Sequence, residues 1–200
     1  MSSTQFVEHV SFVASEAFLA DNALFDQLKA WLDKNGEGVF LGFDVQDPTH
    51  AHAFVLWQSF EHLINASQHP DFLPGFMTPF SALVASGLTV LHIDFDGNPT
   101  TAFSAPVTEL SVVTPKEGHT QEEVNAIITQ FKESAAAVPG VHTPLVWGNI
   151  RKTVEYALAA GWDSVEAHLN AVTVPPVDAL AGRLFGISDV VVKHITLKKV

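Results

Sequence analysis

At 200 residues and 21.6 kDa the chain has room for one large domain or two small ones. Hydrophobic residues make up 47% and charged residues 16%, a balance that excludes a disordered chain because enough apolar surface is available to offset ordering entropy. Ten basic against 22 acidic side chains leave a net charge of −12, which repels nucleic-acid backbones and anionic membranes, and the lack of cysteine removes disulfides, thiolate metal sites and cysteine nucleophiles together.

The amino end, Met1 to Phe6, has neither the basic region nor the apolar run of a secretory signal. No stretch approaches the ~20 apolar residues of a membrane span. A soluble, cytoplasmic protein with no membrane partner is the expectation. Residues 6–14 read as a strand, and Leu24, Phe25, Leu28, Trp31 and Leu32 then follow one helical face. Asn35 to Gly38 stops that helix, Val39 to Val45 reads as a strand, and Asp47-Pro48-Thr49 turns the chain into His50 to Trp57. A second helix starts near Ser59, is broken at Pro70 and Pro74, and resumes over Phe76 to Ala85. Leu88 to Phe95 closes the unit as a strand, giving the order βαββαβ.

Asp96 to Thr101 reads as a turn-rich linker. After it the order repeats: a strand over Val107 to Val113, a helix from about Gln121 to Ala136, strands at Val141 to Trp147 and Val154 to Trp162, a helix from Ser164, and a strand over Val190 to Leu197. Trp57-Gln58-Ser59-Phe60-Glu61-His62 returns as Trp162-Asp163-Ser164-Val165-Glu166-Ala167-His168, and Val90 to Ile93 as Val192 to Ile195. The segment Val7 to Val13 parallels Val107 to Val113, which sets His9 against Glu109. The expectation is a tandem duplication with units at 1–97 and 102–200. Val39 to Phe43 and Ala53 to Trp57 are apolar on both faces, so each sheet needs a second cover. The expected fold class is therefore α+β, two ferredoxin-like βαββαβ repeats packed sheet to sheet as an intrachain α+β barrel.

A ferredoxin-like unit with Trp-x-Ser-x-Glu entering its second helix resembles the dimeric α+β barrel superfamily, and within it the antibiotic biosynthesis monooxygenase and stress-responsive barrel families. The resemblance implies a duplicated chain equivalent to a fused dimer, with a further homodimer left open. It also implies activities that include cofactor-free oxygenation, cyclisation and haem chemistry. His9 resembles the first-strand histidine of the stress-responsive and cyclase branch. His69, in Gln68-His69-Pro70-Asp71-Phe72, resembles the first histidine of the plant polyketide cyclase segment His-Pro-x-His, but Phe72 replaces the second and Ala66 replaces the tyrosine. Trp57 and His69 are similar to two of the haem-degrading residues, and the first-strand asparagine of that branch is missing.

These readings select His9, His92 and His69 as candidate catalytic histidines, because a neutral imidazole titrates near the working pH and can remove a proton from a phenol or an acidic carbon. Trp57, Phe54 and Tyr156 are the candidate substrate-binding residues. The alternative for each is a packed core residue, and for Trp57 and Trp162 the strand-to-helix corner favours packing. His50-x-His52 places two imidazoles on one strand face without an evident third ligand. No metal and no organic cofactor is expected, since phosphate loops, nucleotide fingerprints and metalloprotease motifs are lacking. The function expected is a cofactor-independent monooxygenase or cyclase acting on a small apolar, aromatic or polyketide molecule. A non-catalytic ligand-binding or stress-associated barrel is the alternative, and a haem-binding or haem-degrading barrel comes third. The pocket is expected in the first unit, which holds six of the ten histidines.

Overall fold

The computed structural model describes residues 4–200. The chain divides into two compact units, one of Gln5–Ile93 with Lys198–Val200 and the other of Asp94–Leu197 with Thr4. The first contains β1 (Gln5–Ala14), α1 (Glu16–Ala20), α2 (Phe25–Asn35), β2 (Gly38–Asp44), β3 (His50–Trp57), α3 (Phe60–Ser67), α4 (Thr78–Leu83) and all but the last two residues of β4 (Val84–Phe95). The second contains α5 (Thr100–Phe103), β5 (Val107–Pro115), α6 (Gln121–Ser134), β6 (Val141–Ile150), β7 (Tyr156–Trp162), α7 (Val165–Ala171), α8 (Val177–Ile187) and all but the last two residues of β8 (Ser188–Lys199). In the first unit β3 pairs with β1 and β2, and in the second β7 pairs with β5 and β6 while β5 also pairs with β8, all antiparallel. The α+β fold class expected from the sequence is thus the one observed.

The helices start where side chains can accept their first free N–H groups. Ser59 accepts from His62 N at 3.1 Å, Ser164 from Ala167 N at 3.0 Å, and Thr120 forms a reciprocal capping box with Glu123. The turn-rich linker is more structured than its composition suggests. Pro99 precedes the short helix α5, whose Ala102 and Phe103 are completely buried. Two apolar side chains at the end of a turn-forming stretch are enough to anchor it in the core.

In the first unit, Phe6, Val10 and Phe12 of β1 and Ala53, Val55 and Trp57 of β3 pack under Phe25, Leu28, Trp31 and Leu32 of α2. The space beside them is filled by rings. Trp31 lies 5.5 Å from Phe72 and 5.1 Å from Phe76, and Phe80 continues the row 5.7 Å from Phe76. In the second unit Val124, Ile127 and Ile128 of α6 cover Val113, Leu158, Ala160 and Trp162, but the residues supplied by α8 are the aliphatic Leu180 and Leu184. Aliphatic side chains there in place of stacked rings fill less volume.

Candidate active site

Strand register fixes which side chains share a face. Phe6 pairs with Trp57 and Val107 pairs with Trp162. Counting from these pairs, Glu8 corresponds to Glu109, and His9 to Leu110. The sequence parallel of His9 with Glu109 was shifted by one residue, and in a strand that shift exchanges the two faces. Both units therefore carry a first-strand glutamate on the face that meets the helices, with the tryptophan of the strand-to-helix corner beside it.

In the second unit this glutamate is the centre of a buried polar cluster. Glu109 is 5% exposed. Ser111 Oγ donates to its Oε1 at 2.6 Å and Trp162 Nε1 donates to its Oε2 at 2.8 Å. His168 of α7 presents Nε2 3.4 Å from Oε2, and its Nδ1 lies 2.8 Å from Nε2 of His194, the β8 residue paired with Glu109. A charged group in an apolar interior is tolerated when donors surround it, and here two side chains of one sheet and one helix provide them. The Trp162 ring lies 4.8 Å from that of His168, which holds the imidazole between indole and carboxylate. Ala160 is directly across from Glu109 on β7, so a small side chain leaves the carboxylate room.

The cluster opens into a cavity of about 230 Å³ enclosed by α6, α7, α8 and the sheet of this unit. Its wall is otherwise almost wholly aliphatic and aromatic, with Val113, Leu158, Leu184 and Phe185 among the residues that form it. Among the described residues the wall contains neither lysine nor arginine.

The sequence-selected histidines do not converge. His9 and Glu8 are consecutive on β1 and so point to opposite faces. His92 Nε2 stands 3.5 Å from Glu8 Oε1, on the helix side, and its ring meets Phe6 and Phe60. His9 is buried on the other face, stacked 4.4 Å from Phe54, with its Nε2 3.0 Å from His52 Nδ1. One cavity lined by both His9 and His92 is therefore not formed. Burial, and then the neighbouring imidazoles of His52 and His50, hold the His9 pKa well below 6.5. His69 is an exposed residue, 53% accessible, that accepts from Asp71 N at 3.2 Å.

Trp57 is fully buried, 6.3 Å from Trp31, and donates to Glu8 at 3.3 Å. Tyr156 is stacked 4.7 Å from Trp147 among the α6 contacts, outside the cavity wall, and burial raises its pKa above 10.0. His50 and His52 are ring neighbours at 5.2 Å. No group of three metal-ligating side chains occurs among the described residues.

The cavity described above lies in the second unit, whereas the sequence reading placed the pocket in the first, where a row of aromatic rings packs beside Trp31. The residues of the observed cluster carried a signal that composition hid. Glu109 is a lone carboxylate in the apolar strand Val107 to Val113, two residues from Ser111 and from Val107, all on one face. His168 follows its N-cap serine by four, where the first unit has Leu63.

A scan against protein-family models finds no match, and a search of curated proteins finds none either. Solved structures do match over nearly the whole chain. A candidate monooxygenase from Fusobacterium nucleatum aligns with TM-score 0.71 at 12% identity, covering 100% of this chain and 95% of its own. An anthrone oxidase-like protein aligns with TM-score 0.68 at 15% identity, over 98% and 91% of the two chains. Chlorite dismutase from Candidatus Nitrospira defluvii gives 0.62 at 11% identity, over 96% and 90%. At these identities the likeness defines the fold class, a ferredoxin-like α+β barrel shared by oxygenase-like and chlorite dismutase-like proteins. No helix among the described residues is long and apolar enough to cross a membrane.

Proposed function

We propose that the second unit is a cofactor-independent oxygenase or cyclase site in which a small apolar molecule loses a proton to the Glu109–His168–His194 chain. The observation that carries this reading is the buried carboxylate, bonded by Ser111 and Trp162 and continued by two imidazoles, at the wall of an apolar cavity. Glu109 keeps acceptor capacity beyond its two side-chain donors, so it can take the substrate proton, while His168 Nε2 faces the carboxylate and His194 orients the His168 ring through their hydrogen bond. Trp162 and Ser111 orient the carboxylate by donating to its two oxygens. The apolar wall excludes water from the resulting anion.

Two outcomes follow from the same deprotonation. An activated CH2 group and O2 convert to a carbonyl and water, with both hydrogens and four electrons accounted for, so no external reductant is needed. Alternatively the carbanion closes onto a carbonyl of its own chain. The likeness of fold to a candidate monooxygenase and an anthrone oxidase-like protein supports the oxygenase branch. A haem does not fit these residues, because the wall offers no cation for its carboxylates and His168 is engaged at both nitrogens.

The test is oxygen uptake with anthrone. One O2 is expected per anthrone converted to the quinone, and Glu109→Gln and His168→Ala each slow turnover by about 10²-fold or more, the usual scale for loss of an acid–base group. Wild-type rates in both variants would refute the assignment. Ring closure of a polyketide substrate without oxygen uptake would select the cyclase branch.

A further inference from the structure

We propose that Glu109 makes this cavity a filter for ligand charge, admitting uncharged molecules with a hydroxyl or N–H head and rejecting carboxylates; the inference rests on the cavity being the ligand site. Three features lead to it. The wall of the cavity has one acidic residue and, among the described residues, no lysine or arginine. Glu109 is held by donors that suit a carboxylate anion, Ser111 Oγ at 2.6 Å and Trp162 Nε1 at 2.8 Å. The contacts of His168 with His194 and with Glu109 need no extra proton. His194 Nε2–H can donate to His168 Nδ1, which leaves His168 Nε2–H facing Glu109, with both rings neutral.

The cluster then keeps its negative charge inside a low-dielectric wall. A ligand carboxylate entering the cavity would have to shed its water and would meet a like charge with no cation to offset either effect. A neutral donor head meets an acceptor with spare lone pairs, and its apolar body meets aliphatic side chains. Glu109 thereby determines specificity through the same carboxylate that takes the proton. The first unit has the counterpart Glu8 but fills the adjoining space with Trp31, Phe72, Phe76 and Phe80, so the filter operates in the second unit.

Calorimetric titration of the whole protein at pH 7 with 2-naphthol and 2-naphthoate, matched in ring size and differing in head charge, tests the inference. Naphthol is expected to bind at least tenfold more tightly than naphthoate, and Glu109→Gln should shrink that ratio to threefold or less. Equal or tighter binding of naphthoate to the wild-type protein would overturn the filter while leaving the cavity as a ligand site. A ratio that persists in Glu109→Gln would remove Glu109 from the role. Leu184→Trp fills the cavity and should abolish naphthol binding; unchanged binding in that variant, or none of either probe to the wild type, would refute the cavity itself and the filter with it. Should Glu109→Gln fail to fold, the wild type decides with 2-naphthylmethylammonium, which should bind more tightly than naphthoate, and the reverse order would overturn the proposal.

Discussion

Single side chains in this protein act according to the face they occupy. His9 and Glu8 are adjacent in sequence, yet one stacks on Phe54 and the other bonds Trp57. Because burial keeps folded His9 neutral below 6.5 while the unfolded residue titrates near that value, the unfolded state binds more protons in acid. Stability should be flat above about pH 6.5 and fall as the pH drops through it toward the lower folded pKa. Urea denaturation at a series of pH values should show this slope, and His9→Phe should reduce it; an unchanged slope would count against His9 as its source. A second residue-scale expectation concerns Trp162→Phe. Removing the indole donor leaves the buried Glu109 carboxylate with one bond fewer, at a cost of about 1–3 kcal/mol, read as a lower urea midpoint. Trp162 matters here as a hydrogen-bond donor, a role that its aromatic character in the sequence does not announce.

At the scale of elements, the two short helices after the corner tryptophans are built alike and used differently. α3 and α7 each begin at a serine that accepts an N–H bond three residues on. Ser59→Ala and Ser164→Ala should each destabilise by about 1 kcal/mol. Only Ser164→Ala should also lower turnover, since α7 carries His168 whereas the matching place on α3 is Leu63. Equal loss of turnover in both variants would show that general destabilisation, not positioning of His168, is responsible. The start of these helices was legible in the sequence from Ser59 and Ser164, as were the break at Pro70 and Pro74 and the hairpin at Asp47-Pro48-Thr49. Those features depend on local backbone chemistry. The strand phase was less legible, because Val7 to Val13 is apolar at both parities and nothing local distinguishes an offset of one residue.

For the whole molecule, each unit carries a glutamate–tryptophan pair, but packing between helix and sheet differs. Rings from α2 and the segment leading into α4 fill one copy, and aliphatic side chains on α8 leave a cavity in the other. Calorimetry with a ligand of the cavity should accordingly give one site per chain. Glu8→Gln should leave turnover at the wild-type level, and two equivalent sites, or a loss of turnover in Glu8→Gln, would contradict this asymmetry.

The sequence by itself determined the order βαββαβ twice over, the helix starts, the breaks between elements and the need to cover both sheet faces, because periodicity, capping and turn chemistry act over a few neighbouring residues. Only the tertiary structure decided which histidines meet. Glu109, His168 and His194 come from three elements spread over 86 positions of chain, and their convergence depends on strand register and on how much volume the covering helices fill. Those are properties of long-range packing, and so a sequence rich in histidines in its first half placed this buried carboxylate–imidazole cluster in the second.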